Sequence, residues 1–374
     1  MRTIAEFEAA ARERLDPAHY DYFAGGAQDE ITLRDNEEAY KRLRLVPRVL
    51  RGSDKRDLSV DLLGTPSSMP ILVAPTAFHR LAHPDGELVT ARAAARAGTI
   101  MIVSMASTTA IEDIAAAARE VAPDPGLWFQ LYLQPDLEFT EAIVRRAENA
   151  GIKAFVVTVD SPVLGRRERD DRNAFHDLPS GLFVENLRNI GENRSGGNTS
   201  HSIHAPATTL NGGASRRSHV REIVMSAGLN WDHIAWLRSK TKLPVLIKGL
   251  LHAEDARLAV HHGVAGIVVS NHGGRQLDTV PATIDVLPEI AAAVGGALPV
   301  LLDGGIRRGT DVVKALALGA DAVGVGRPVV WGLAAGGREG VSEVLEMLRA
   351  DFDQALALCG GRHPADLTPD QVRR

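Results

Sequence analysis

Eight short apolar, β-branched runs recur along the chain, each separated from the next by Ala-rich amphipathic stretches. They are Ile71–Ala74, Ile100–Val103, Trp128–Tyr132, Ala154–Val159, Val245–Lys248, Gly266–Ser270, Val300–Asp303 and Ala322–Gly326. This rhythm reads as βαβα and predicts a parallel sheet. Helices are expected between the runs, for example over 87–97, 141–150, 253–262 and 310–319. Several of these segments end in Ala-Gly, His-Gly or Leu-Gly, where glycine supplies a left-handed cap before the next strand. Eight strands predict an α/β fold of the (β/α)8 TIM-barrel type, with chemistry at the C-terminal ends of the strands. An open doubly wound sheet is the competing architecture. The count of eight, and polar residues after nearly every strand, favour the barrel.

One spacing is abnormal. Strand four ends near Asp160, yet strand five begins near Pro244. Gly191 to Ser218 within that gap is rich in Gly, Asn, Ser, Arg and His and has no period, so 177–220 reads as a flexible insertion. On the active face it would be a lid; an insertion without function fits the composition equally well. Residues 1–69 read as a helical extension packed on the barrel. No break in composition divides the 374 residues into a second domain.

With 45% hydrophobic and 24% charged residues the chain can bury a large core. A net charge of -5 leaves no cationic footprint for nucleic acid. The single cysteine, Cys359, makes a reducing interior the default. Met1 to Arg14 is too charged for a signal peptide, and no apolar run approaches the ~20 residues of a membrane span. The last residues, Gln371–Arg374, carry no peroxisomal tripeptide. A cytoplasmic protein without membrane contact is expected, and no metal site.

The residues at the strand ends gather the chemistry. After strands seven and eight come Asp303-Gly304-Gly305 with Arg307, and Gly326-Arg327-Pro328. This is the usual phosphate position of a barrel: glycine lets backbone N–H groups approach the anion, and guanidiniums pair with its oxygens. Asp-Gly-Gly alone is most often just a turn; two such groups at consecutive strand ends say more. The lack of Gly-x-Gly-x-x-Gly after any strand argues against a nicotinamide dinucleotide. Lys248 at a strand end would ordinarily be a snorkelling side chain. Beside a phosphate-bearing ring cofactor it would instead stabilise negative charge on the reduced ring, with Ser104, Gln130 and Thr158 bonding the polar ring edge.

His272 lies in Ser270-Asn271-His272-Gly273-Gly274-Arg275-Gln276-Leu277-Asp278. A lone histidine is more often structural than catalytic, but here a buried strand precedes it and glycines and an arginine follow. A base for a hydroxyl or α-proton needs a pKa near working pH, which imidazole has. Asp160 could orient it, or merely cap its own turn. Arg275 and Arg167 could grip a substrate carboxylate bidentately, although the run 165–172 is mostly a solvated mixed-charge face. Tyr132 offers a phenol to the carboxylate or the reacting oxygen, and Tyr22 on spacing alone reads as core.

From about Phe7 to Leu367 the chain resembles the FMN-dependent 2-hydroxy-acid oxidase and dehydrogenase family. The Ser270–Asp278 block carries the likeness most specifically. It is supported by Tyr20-Asp21-Tyr22, Pro75-Thr76-Ala77, Phe129–Tyr132, Thr158-Val159-Asp160, Gly165-Arg166-Arg167, Lys248-Gly249, Leu302–Arg307 and Gly326-Arg327-Pro328. The resemblance implies FMN as cofactor and oxidation of an (S)-2-hydroxy acid to a 2-oxo acid. It implies His272 as base with Asp160 as partner, and Arg167, Arg275, Tyr22 and Tyr132 around the substrate. FMN contacts would come from Thr76, Ala77, Ser104, Gln130, Thr158, Lys248, Ser270, Asp303, Gly305, Arg307, Gly326 and Arg327. A homotetramer is the family habit.

Two departures from the family stand out. Where glycolate oxidases tend to carry a Trp after strand two, this chain reads Ser104-Met105-Ala106-Ser107. Ala106 should open volume beside the substrate side chain, so acids larger than glycolate are expected: lactate, longer aliphatic acids or a mandelate. The insertion over 181–218 matches no family pattern and lacks the apolar stretch of membrane-anchored mandelate dehydrogenases. With no haem-binding segment ahead of the barrel, O2 is the expected acceptor, giving hydrogen peroxide. A dehydrogenase passing electrons to a quinone, and a lactate 2-monooxygenase, are the alternatives. An FMN-barrel isomerase would not need His272, Arg275 and Arg167 together. A barrel kept only for binding has no reason to keep all these residue types.

Overall fold

The computed structural model describes residues 1–188, 190 and 223–374. All eight strands form within about two residues of the expected runs, the usual uncertainty of element ends. They are Ile71–Val73, Met101–Ser104, Leu127–Leu131, Phe155–Thr158, Val245–Leu250, Gly266–Val269, Val300–Asp303 and Ala322–Val325. Each pairs in parallel with its neighbours, and the eighth pairs back to the first, which closes the barrel and excludes the open sheet. The intervening helices include Gly86–Ala97, Leu137–Asn149, Ala253–His261 and Gly309–Ala317.

Both faces of these strands are apolar, as a sheet covered by helices requires. Alternate residues divide between two cores. Leu72, Ile102, Trp128, Val156, Leu246, Val268, Leu301 and Ala322 pack together inside the barrel. Their neighbours, such as Val73, Val103, Phe129, Val157, Ile247 and Leu302, join the larger core beneath the helices.

The extension ahead of Pro70 is helical only in part. Helices α1 (Ile4–Arg14), α2 (Pro17–Ala24) and α3 (Ile31–Arg42) form, but Val60–Leu62 and Thr65–Ser67 make an antiparallel hairpin. Leu62 joins the inner barrel cluster and Thr65 Oγ1 accepts a 3.1 Å bond from Trp128 Nε1, so the hairpin plugs the N-terminal end of the barrel. Strands of three residues are too short to show a period in sequence. Arg44–Leu45 also pairs with Val372–Arg373, tying the two ends of the chain together.

Residues 189 and 191–222, with most of the expected lid-like insertion, lie outside the described residues. Among the described residues no helix is long and apolar enough to cross a membrane.

Candidate active site

Two residues beyond each apolar inward position, the same side of the strand carries Ala74, Ser104, Gln130, Thr158, Lys248, Ser270, Asp303 and Gly324. Strand periodicity of two places them in one ring above the dry core. Side-chain hydrogen bonds join its members in two runs. Ser104 Oγ donates to Gln130 Oε1 at 3.2 Å, and Gln130 Nε2 donates to Thr158 Oγ1 at 3.1 Å. Lys248 Nζ donates to Ser270 Oγ at 2.8 Å and lies 3.2 Å from Asp303 Oδ2, while Ser270 Oγ donates to Asp303 Oδ1 at 2.6 Å. Lys248 is buried, so this pairing keeps its charge tolerable away from water.

A further two residues along, the rim carries Thr76, Ala106, Tyr132, Asp160, His272, Gly305 and Gly326. At strand five the pairing register shifts between Lys248 and Leu250. Gly249 stands there at φ +116, and a Cβ on it would lie 2.6 Å from Asp160 Cβ, so only glycine lets the carboxylate settle.

His272 has φ 59, an uncommon conformation for a non-glycine residue, and its N–H donates to Ser270 Oγ at 3.1 Å. Nδ1 is 2.8 Å from Asp160 Oδ1, which leaves Nε2 on the cavity side, 3.5 Å from Tyr132 Oη. Burial pushes the imidazole below its ordinary value and outweighs the raising influence of Asp160. Burial also works against the Asp160 carboxylate, but His272, then Lys248 and the Ser161 hydroxyl, hold it below the usual carboxylate range. The imidazole is thus neutral near pH 7 with an anion behind it.

Opposite stand two guanidiniums. Arg167 is buried with Nε lacking a partner among the described residues, and burial with the nearby Arg275 lowers its pKa to about 10. Arg275 Nη1 donates to the carbonyls of Tyr22 and Gly25, and its guanidinium lies 4.9 Å from the Tyr22 ring centroid. Two guanidiniums this close repel each other, which favours an anion at that spot. The phenols of Tyr22 and Tyr132 face the same region, and burial raises both, so each stays a hydrogen-bond donor at neutral pH.

At the far side, Gly304, Gly305, Gly326, Arg307 and Arg327 line the cavity. Arg327 opens the helical segment Arg327–Leu358, which breaks at Gly336 and Gly337, so the cradle sits at a helix N-terminus, where anions are favoured. Its guanidinium donates to the carbonyls of Phe23, Gly273 and Gly25, and burial lowers its pKa to about 9. Arg307 pairs with Glu37 at 2.7 Å. A Cβ on Gly326 would meet only Thr76 Oγ1 and Ala74, which leaves the backbone open to the cavity. Cationic cradle at one end and a ring of neutral donors with Lys248 at the other: this donor set fits a phosphorylated, polar-edged ring cofactor.

Of the residues expected from sequence, all line this one cavity except Asp160 and Ser270, which stand behind His272 and behind Lys248. Tyr22, read from spacing as core, belongs to both: it is buried and it faces the cavity. Several supporting residues were not found by sequence reasoning. Gln276 Nε2 donates to the carbonyls of Asp160 and Val163 while its Oε1 accepts from Gly165 N, bracing the segment that leads to Arg167. Asn36 on α3 and Asn271 exchange side-chain bonds of 2.9 and 2.7 Å, fixing the turn before His272. The apolar wall of Leu164, Leu178, Val184, Ile223 and Met225 was missed too. Pairings across more than a hundred residues leave no local spacing signal; only a polar residue in an otherwise apolar stripe hints at them.

Fold and geometry together define a class: a (β/α)8 enzyme whose mouth takes an anionic cofactor beside a small anionic substrate. Comparison with known proteins narrows it. The family model described as FMN-dependent dehydrogenase matches residues 11–374. Glycolate oxidase 1 of Oryza sativa subsp. indica is 47% identical over 369 residues, covering 98% of this chain and 94% of the relative. An L-lactate oxidase of a Nostoc species is 48% identical, covering 96% and 94%. A crystal structure of mandelate oxidase with (S)-2-phenylpropionate superposes with a TM-score of 0.84 at 40% identity, covering 100% of this chain and 98% of that one. The chain belongs to the FMN-dependent dehydrogenase family.

Proposed function

We propose that the protein is an FMN-dependent (S)-2-hydroxy-acid oxidase that forms the 2-oxo acid and, with O2 as acceptor, hydrogen peroxide. The observation that carries this reading is the neutral His272 imidazole, backed by Asp160, in one cavity with two mutually repelling guanidiniums, Arg167 and Arg275. Arg167 and Arg275 hold the substrate carboxylate, with Tyr22 and Tyr132 bonding the carboxylate or the hydroxyl oxygen. Nε2 of His272 takes the hydroxyl proton, and Asp160 stabilises the imidazolium that results.

Bound FMN supplies the two-electron acceptor for the hydrogen on the α-carbon. Arg307, Arg327 and the glycines at the ends of strands seven and eight hold its phosphate. Thr76, Ala77, Ser104, Gln130, Thr158, Lys248, Ser270 and Asp303 bind or brace its ring end. The relatives named as oxidases support O2 as acceptor.

The substrate is larger than glycolate. Ala106 forms a low wall, and the neighbouring lining from Leu164 to Met225 is apolar. In the same reading the enzyme is a cytoplasmic homotetramer; its lone cysteine, Cys359, is buried and suits a reducing compartment. Steady-state assays on glycolate, lactate, 2-hydroxyoctanoate and mandelate, with peroxide counted against oxo acid, test the proposal. One peroxide per oxo acid, and a higher kcat/KM on a larger acid than on glycolate, are expected. Best turnover on glycolate would sink the substrate assignment, and dye reduction without peroxide would sink the oxidase. Light scattering on the eluting protein tests the tetramer.

A further inference from the structure

Glu87, in the first turn of the helix Gly86–Ala97, is 1% exposed, and among the described residues no lysine or arginine pairs with it. A buried carboxylate without a counter-cation is costly unless its lone pairs are filled by donors. Here they are, and the donors come from two different loops. Oε1 accepts from His79 N at 3.0 Å, in the loop after strand one. It also accepts from Thr108 N at 2.8 Å, in the loop after strand two, while Oε2 accepts from the hydroxyls of Thr108 and Thr109, each at 2.9 Å.

Those loops carry two facing parts of the substrate pocket, Phe78 and Ala106. Phe78 N–H donates to Ala106 O at 3.2 Å, and Phe78 sits at φ 62, strained for an aromatic residue. The next residue, His79, is held by Glu87. The Phe78 ring lies 5.5 Å from that of Tyr22, so a shift in the loop would be felt at the substrate wall. Ala106 is braced from below as well, its N–H donating to Ser104 Oγ at 3.1 Å.

We propose that Glu87 is a positioning residue: by clasping both loops it fixes Phe78 against Ala106, and so sets which side chain a 2-hydroxy acid can carry into the site. It touches neither substrate nor cofactor. The inference rests on the oxidase reading above and adds to it a determinant of substrate choice.

The test uses FMN-loaded enzyme. Glu87→Asp keeps the charge but is one methylene too short to reach both loops, whereas Glu87→Gln keeps the length and can still bridge them once the threonine hydroxyls rotate. For Glu87→Asp, KM for 2-hydroxyoctanoate or mandelate should move about fivefold or more relative to lactate. Its kcat should stay within about twofold and its acidic pH limb should not shift. Glu87→Gln should return the KM ratio to near the parent value. Titration of the flavin absorbance with the matching 2-oxo acids reads the same change as a ratio of Kd values without turnover. If Glu87→Asp does not fold, Thr108→Val, which removes one clasping hydroxyl, should shift the ratio in the same direction by about twofold. Unchanged KM and Kd ratios in the folded variant, or equal losses on every acid together with lost FMN, would overturn the proposal. A parent enzyme that oxidises none of these acids would overturn the oxidase reading instead, while the Kd ratios would still judge Glu87.

Discussion

The two ends of the barrel interior are built by the same eight strands yet have opposite characters. At the N-terminal end Leu72, Ile102, Trp128 and Val156 pack against the plugging hairpin; two residues on, Ser104, Gln130 and Thr158 form a polar, hydrogen-bonded run. Two residues of strand span ~7 Å, so stability and chemistry are separated by one pleat repeat. The floor can satisfy packing rules without compromise. The mouth instead accumulates what a folding chain avoids: a buried lysine, an arginine nitrogen without a partner among the described residues, and a histidine at positive φ.

If this division is real, substitutions at the floor should cost stability and spare turnover, and those at the mouth the reverse. The largest effect is expected for Trp128→Ala, which removes a fully buried indole and its bond to Thr65; it should cost ~3–5 kcal/mol of stability, read by denaturant midpoint. The folded fraction should keep its kcat, and a large loss of turnover per bound FMN would break the comparison. His272→Ala should lower kcat by a factor on the order of 10² or more while FMN stays bound and the thermal midpoint barely moves. Near-normal turnover would remove His272 as the base.

Arg275→Lys is the next smaller change. It loses the planar fork, and a charge-assisted bond of ~1.5 kcal/mol corresponds to about tenfold in kcat/KM, with KM raised and kcat lowered together. The smallest effect is in pH. The working form of His272 is neutral and burial lowers its pKa, so kcat/KM should hold as pH falls from 7 and decline only below the ordinary value of 6.5. Because Asp160 raises that pKa, Asp160→Asn should move the acidic limb lower still while reducing kcat. An upward shift would mean that another group titrates.

Much of the site was legible because periodicity two runs through strand ends as well as strands. Leu301, Asp303 and Gly305 are successive inward positions, as are Trp128, Gln130 and Tyr132, and Val268, Ser270 and His272. Reading each apolar run two and four residues onward therefore lands on the ring and the rim. What escaped were groups whose roles depend on partners far along the chain. The hairpin at 60–67 offers too few residues for a pattern, and Gln276, Asn36 and Glu87 look like ordinary polar positions until the loops they join are brought together.

The sequence by itself determined the number of strands and which residue types stand at their tips, because these follow from local runs of β-branched residues and the steric preferences of glycine. Only the tertiary structure decided that Nδ1 of His272 meets Asp160, that Gly249 makes room for that carboxylate, and that a carboxylate on one helix clasps two loops of the mouth. Barrel closure is the reason. Hydrogen-bond register and strand tilt set distances between tips that are far apart in the chain, and no local preference encodes a distance of that kind.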